Sequence, residues 1–390
     1  MFTGFKRLIV FLPILILIAS TSFSMQQPFA FTTVNNGIVD FYYVNYNVEF
    51  NITFTNLGAS AISNLEIWVA SINNRTTGGL YESNLQNAYL TYMNPTPQAV
   101  LRDVNNPDNQ LLYFNASIPG YSNYSIILRY NISSFEKMWL INPTVIENYN
   151  TSSEIYLNYT KPEPFIESDN PTIVAFATQL AAGVENPLLT VKKFYDWVST
   201  NIRYQIQTEE HGALWALENM RGDCSEYADL FIALCRACGI PARKVLGWAF
   251  SDLVENQYLS FHRYTSYSAH AWVEVYFERY GWIVFDPTWG NSGFYYFSRV
   301  DPFHLAAIIG ENVSTTGFNT TEFSFIAYRV SGSPNLSYDF TITLEVAALA
   351  SLIKYYSFES LLIIGSVLAV VLFISGLISK RALKRALKSV

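Results

Sequence analysis

Apolar side chains occupy every second position through Val48-Glu49-Phe50-Asn51-Ile52-Thr53-Phe54-Thr55, the period of a strand with one buried face. The same alternation returns at Leu65, Ile67 and Val69, at Leu112, Phe114, Ala116 and Ile118, and at Ile126, Leu128 and Tyr130. Turn residues separate these runs, at Asn56-Leu57-Gly58 and Pro119-Gly120. Short strands spaced in this way predict a β-sandwich of immunoglobulin-like type. After Pro162 and Pro164 the period changes. Ile173, Ala177, Leu180 and Ala181 form one helical stripe, and Val191, Phe194, Tyr195, Val198 and Ile202 a second. A third helix is predicted to start at Cys224. Asp223 is its N-cap, Tyr227, Ala228, Phe231, Ile232 and Leu234 are its apolar side, and Gly239-Ile240-Pro241 is its stop. Strands follow over 245–250, 269–277 and 282–286, so helices precede antiparallel strands and the class is α+β. Residues 322–329 and 338–344 alternate too, and either extend that sheet or form a small module beside the last hydrophobic run.

The two ends carry patterns of a different kind. Lys6 and Arg7 precede an apolar stretch from Leu8 to Ala19, followed by Ser20, Ser22 and Ser24, which predicts a signal peptide over 1–24. From Ser360 to Ile378 there is no charged residue across 19 positions, enough to cross a hydrocarbon core. Lys380, Arg381, Lys384, Arg385 and Lys388 follow with no acidic residue, and cationic flanks stay in the cytoplasm. A transmembrane helix over 358–379, a cytoplasmic tail over 380–390 and an extracellular remainder are therefore expected.

Charge sharpens this picture. Of the 24 basic residues seven lie in the leader and tail, against one of the 31 acidic ones, so the segment between is near −13. No basic patch stands out, which argues against a nucleic-acid partner. Only 14% of residues are charged, against about 25% in ordinary soluble proteins. Glycans would supply the missing polarity. Asn-x-Ser/Thr acceptors occur at Asn51, Asn74, Asn115, Asn123, Asn131, Asn150, Asn158, Asn312, Asn319 and Asn335. None falls between Tyr159 and Glu311, which marks that stretch as a separate domain.

Chemistry concentrates in that gap. A cysteine at a helix start meets peptide dipoles and free N–H groups that favour a thiolate, and Arg221-Gly222-Asp223-Cys224 leads into such a start. The Cys224 N–H is then placed for an oxyanion hole, with Gly222 permitting close backbone approach. Of the four histidines, His211 and His262 read as loop residues and His304 as part of a turn after Asp301-Pro302. His270 opens a strand, and the next strand runs back to Asp286, where Pro287 ends it. An acid orienting an imidazole that activates a thiol is triad logic. The hairpin must keep His270 and Asp286 on one face, which needs an odd-length loop. Arg279-Tyr280-Gly281 is the predicted three-residue loop, pairing Glu278 with Trp282 and setting His270 and Asp286 diagonally, with a gap that a ring rotation or bulge must close.

These blocks resemble the transglutaminase-like superfamily. The resemblance rests on Phe194-Tyr195-Asp196-Trp197-Val198 to Tyr204, on Gly222-Asp223-Cys224-Ser225-Glu226-Tyr227-Ala228 with Gly239-Ile240-Pro241-Ala242-Arg243, and on His270-Ala271-Trp272-Val273-Glu274-Val275 with Gly281-Trp282 and Phe285-Asp286-Pro287-Thr288. It implies a papain-like arrangement with Cys224 as nucleophile, His270 as general base and acid, and Asp286 as orienter. It also implies thioester chemistry on amides without fixing what resolves the thioester. No calcium-binding run of alternating acids is evident, so hydrolysis by a cysteine peptidase or amidase is preferred over protein-glutamine cross-linking. A non-catalytic surface binding or scaffold role is the remaining alternative, and an intact triad argues against it.

The expected chain is therefore an α+β, transglutaminase-like (papain-like) domain over 161–305, preceded by an immunoglobulin-like β-sandwich over 25–160. A juxtamembrane β segment over 306–357 and the transmembrane helix follow. Its partners are a protein or peptide substrate at the cell surface and the membrane, and no cofactor or metal is expected. Trp215, nine residues before Cys224, is weighed as a second oxyanion donor and read instead as an apolar helix residue beside Leu214 and Leu217. Cys235 and Cys238 read as small apolar core residues rather than a disulfide, redox pair or zinc site.

Overall fold

The computed structural model describes residues 37–80, 82–250, 262–265, 269–291, 295–332 and 334–356. The expected signal peptide, transmembrane helix and basic tail lie outside these residues. Among the described residues no helix is long and apolar enough to cross a membrane.

The alternating segments form strands Gly37–Asn56, Ile62–Ala70, Gln110–Ile118 and Asn123–Leu140. The parity read from the sequence holds, since Val48, Phe50, Ile52 and Phe54 are all buried. Gly37–Asn56 is central in its sheet, pairing antiparallel with Asn123–Leu140 on one side and with Leu336–Tyr356 on the other. A second sheet runs Ile326–Val330, Ile62–Ala70, Gln110–Ile118, Ala99–Arg102. The inner residues of both sheets, among them Phe50, Ile67, Phe114 and Phe340, meet in one apolar core. The strands beyond residue 320 therefore join the N-terminal sheets and not the sheet that carries His270, because their apolar faces complete this core.

The second half is the expected set of helices on a sheet. Helices Pro171–Ala181 and Pro187–Asn201 each start from an Asn N-cap followed by Pro, a combination that needs no N–H at the first position. A short helix, Gly212–Asn219, precedes the helix Cys224–Ala237, from which Tyr227 to Arg236 are buried throughout. The sheet beneath has strand order Gly281–Phe285, Ala269–Phe277, Ala242–Ala249, His304–Ile309, all antiparallel. Its core joins Phe194, Tyr195, Phe231, Val273 and Phe285. Trp248, Leu305 and Ile308 of this sheet enter the sandwich core as well.

Candidate active site

The helix that carries Cys224 begins where the sequence places it. Asp223 caps it, accepting from the Ser225 N–H at 3.1 Å, and the Glu226 carboxylate returns to the Asp223 N–H at 2.8 Å. Glu226 also accepts from the His211 N–H at 3.0 Å. Gly222 serves this cap. A Cβ there would stand 2.3 Å from the Glu226 Cβ, so the missing side chain makes room for the capping carboxylate. Cys224 is the first residue inside the helix, half-buried, at the wall of a cavity of about 350 Å³ that His270 also lines.

The hairpin brings the acid to the base. Phe277 pairs with Gly281 and Tyr276 with Trp282, so the three-residue loop is Glu278-Arg279-Tyr280, one residue earlier than expected. Gly281 has φ +74° and a Cβ there would meet the Thr77 carbonyl at 2.2 Å, so a glycine is required where the strand begins. The parity is as predicted, but this register sets Asp286 only two residues off the position opposite His270. Diagonal neighbours of that kind lie about 7 Å apart at Cβ, within side-chain reach, so no bulge is needed in this hairpin. The His270 Nε2 to Asp286 Oδ2 distance is 2.8 Å. The Asp286 Oδ1 accepts from the N–H groups of Thr288 and Trp289 at 2.9 and 3.3 Å, and the Asp286 carbonyl accepts from the Tyr195 hydroxyl at 3.1 Å. With Nε2 engaged by Asp286, Nδ1 is the ring nitrogen left for the thiol, and Cys224 and His270 line the same cavity wall. Burial disfavours the His270 cation, but Asp286 and Cys224 outweigh burial and hold its pKa up at about 10. Burial would likewise raise Asp286, yet His270 and His304 together keep it below the usual carboxylate range. Trp289 stacks on the His270 ring at 5.0 Å and helps keep water from the pair.

His304, read from sequence as a turn residue, stands beside this pair. Its Nε2 lies 3.3 Å from Asp286 Oδ2, and its Nδ1 lies 2.8 Å from Asp301 Oδ1. A bulge puts it there. Val245 pairs with Ile309 and Leu246 with Ile308, but Gly247 pairs with Ala306 and Ala249 with His304, leaving Ala307 as the extra residue. Gly247 also pairs with His270, so the shift turns His304 onto the face that His270 occupies.

A second buried cluster borders the same cavity. Lys244 Nζ lies 2.6 Å from each of Glu210, Asp229 and Glu311. Burial raises Asp229 well above its ordinary range and pushes Glu311 up to about 8, while Lys244 draws Glu210 down against its burial. Two sets, Glu210 with Asp229 and Glu311 and His270 with Asp286 and His304, bring polar atoms close together, but in the second both imidazoles already direct a ring nitrogen at one Asp286 oxygen, so no lone pair there is turned to a metal. In the first set the Lys244 ammonium already supplies the countercharge. The far wall of the cavity is apolar, with Trp248, Phe323, Phe325 and Phe340. The other sequence candidates, Trp215, Cys235 and Cys238, do not line this cavity. Trp215 sits in the helix Gly212–Asn219, stacked on His211 at 4.2 Å with the Arg221 guanidinium over its ring at 5.4 Å. Cys235 and Cys238 are free thiols, Cys235 fully buried, and burial pushes both thiol pKa values up.

With this geometry in hand, the chain can be set beside known proteins. Residues 174–287 match the model of the transglutaminase-like superfamily. The chain carries a transglutaminase-like domain. That domain includes Cys224, His270 and Asp286, and the blocks that carried the resemblance lie within it except for Thr288, one residue past its end. A Bacillus subtilis protein, the uncharacterized YebA, is 32% identical over 124 residues, covering 29% of this chain and 17% of YebA. A protein-glutamine gamma-glutamyltransferase of Pseudomonas aeruginosa is 41% identical over 69 residues, covering 17% of this chain and 10% of that enzyme. The chain thus spans less than a fifth of either relative. The crystal structure of a candidate cysteine protease from Cytophaga hutchinsonii shares the fold, with TM-score 0.52 at 17% identity, covering 81% of this chain and 93% of that one.

Proposed function

We propose that the transglutaminase-like domain attacks amide bonds of protein or peptide substrates outside the cell, with Cys224 as nucleophile, His270 as base and acid, and Asp286 as orienter. The observation that carries this reading is one cavity lined by both Cys224 and His270, with Asp286 held 2.8 Å behind the His270 ring. The thiolate adds to the substrate carbonyl carbon while the Cys224 N–H at the helix start faces the developing oxyanion. His270 gives its proton to the leaving nitrogen as the C–N bond breaks, leaving a thioester. Water then loses a proton to His270, adds to the thioester carbonyl, and the C–S bond breaks to return the thiolate and release the acid. Resolution by water makes this a hydrolase. Resolution by an amine, the cross-linking reading, draws support from the named activity of the Pseudomonas aeruginosa relative.

Extracellular placement, a signal peptide and a membrane anchor remain part of this proposal. So do the immunoglobulin-like character of the N-terminal sandwich, a spacer role for it, and domain boundaries near 160 and 305. The glycosylated surface has one structural support: none of the ten Asn acceptors is buried, and eight are exposed.

The test is alkylation and turnover. Iodoacetamide at pH 6 should modify Cys224 and not Cys235, and Cys224→Ala should lose the label and all amide cleavage while keeping its thermal midpoint. Mass spectrometry of a peptide mixture incubated with and without a primary amine separates hydrolysis from transfer. Equal labelling of Cys224 and Cys235 would sink the nucleophile assignment.

A further inference from the structure

We propose that His304 is a positioning residue, a buried imidazolium held between Asp301 and Asp286 that shares the Asp286 carboxylate with His270 and so sets the pH range of the thiolate–imidazolium pair. This rests on the reading of Cys224 and His270 as the reacting groups. The geometry gives the protonation state. Both His304 ring nitrogens face carboxylate oxygens, at 2.8 Å to Asp301 and 3.3 Å to Asp286, and a carboxylate only accepts. Both nitrogens must then carry hydrogen, and the ring is a cation. Asp301 is itself fixed, accepting from the Tyr296 hydroxyl and from the Phe303 N–H at 2.8 Å. The His304 ring is walled by Trp272 at 5.2 Å and Trp289 at 5.0 Å, so water does not screen it. The other charged groups nearby, Arg75 and Glu274, pair with each other at 2.6 Å, and Arg299 acts on the far side through Tyr296. The direction of the His304 shift agrees, since Asp301 and Asp286 overcome burial to raise its proton affinity.

The consequence is electrostatic. With one cation on each side, Asp286 cannot spend its whole charge on His270. The two rings are 5.6 Å apart. At an effective dielectric constant of about 20, a unit charge at that range shifts a titration by on the order of 2 pH units. Removing the His304 cation should leave His270 more basic and move the alkaline edge of the pair upward. The bulge at Ala307 spends a ladder position to bring His304 to this face, which a space-filling role alone would not need.

The experiment is the pH profile of iodoacetamide alkylation at Cys224 from pH 4 to 11, in the full chain and in His304→Gln and Asp301→Asn. Asp301→Asn keeps the shape and an acceptor but removes the charge that holds His304 protonated. We expect the alkaline step, which starts from a His270 pKa of about 10 in the wild type, to move up by at least about one pH unit in both variants and so to leave the scanned range. Folded variants with an unmoved alkaline step would overturn the proposal. Nitrogen-15 NMR of the unmodified protein gives a readout that does not depend on either variant folding. His304 should be protonated on both ring nitrogens at pH 8, and a neutral tautomer there would overturn the proposal. If the wild type alkylates like an ordinary thiol, titrating near pH 8.5, the nucleophile reading fails instead, and the NMR state of His304 still decides this inference.

Discussion

His270 takes up a proton more readily in the folded protein than in the unfolded chain, with a pKa moved from 6.5 to about 10. The sign of the stability effect follows. The stabilisation is complete below about pH 6.5 and is lost as pH rises through about 10. Thermal midpoints of the wild type should therefore fall between pH 6.5 and 10 more steeply than those of His270→Asn, and parallel slopes would contradict the ion pair. The three residues proposed to react each sit in a local sequence pattern: Cys224 after a capping Asp, His270 at the opening of an alternating strand, Asp286 before a proline. His304 was visible only as a turn residue, since what aims it is an extra residue at Ala307 in a ladder no local pattern reveals. Lys244 and its three carboxylates escaped for a related reason. Glu210, Asp229 and Glu311 lie far apart in the chain and meet only in the fold.

Helix and strand ends were readable to within a residue or two where a capping or turn residue marks them. Asp223 caps the helix that follows it and Gly239, at φ +71°, follows its last turn, both as read, whereas the Asn170 and Asn186 caps of the two preceding helices went unread because only their apolar stripes stood out. The hairpin after Phe277 slipped by one, because Arg279 itself takes the left-handed φ of +74° in the loop, which leaves Gly281 to pair with Phe277. The cap carries a measurable share of the stability. Asp223→Ala should cost about 1 kcal/mol, read from denaturant midpoints, since the Ser225 N–H loses its acceptor. The same variant should also slow Cys224 alkylation, since the first turn that holds the sulfur is loosened. A stable variant with unchanged alkylation would mean that the cap is incidental to the site.

Over the whole molecule, the described residues lie in one compact unit, and two apolar cores share strands. The strand Ala242–Ala249 shows how. Val245 belongs to the helix-side core and Trp248 to the sandwich core, where its ring lies 5.2 Å from that of Phe50. Phe340 stacks on Phe50 at 6.1 Å and borders the cavity of Cys224. Phe340→Ala should thus cost about 3–5 kcal/mol and lower the midpoint of the sheet that carries His270 together with that of the sandwich, which hydrogen exchange can follow strand by strand. Two separate transitions, with only the sandwich destabilised, would argue that the cores are independent. The pairing of Gly37–Asn56 with Leu336–Tyr356 has a consequence in time. During synthesis the first of these strands is made some 280 residues before its partner, so it waits, paired on one side only, until nearly the whole described chain exists. Residues 161–305 can gather their helices meanwhile, but the aromatic wall contributed by Phe323, Phe325 and Phe340 arrives last. A ribosome-bound chain that stops short of Leu336 would hold Cys224 and His270 without a finished cavity around them, and the proposed activity would begin only once the last strand closes the sheet.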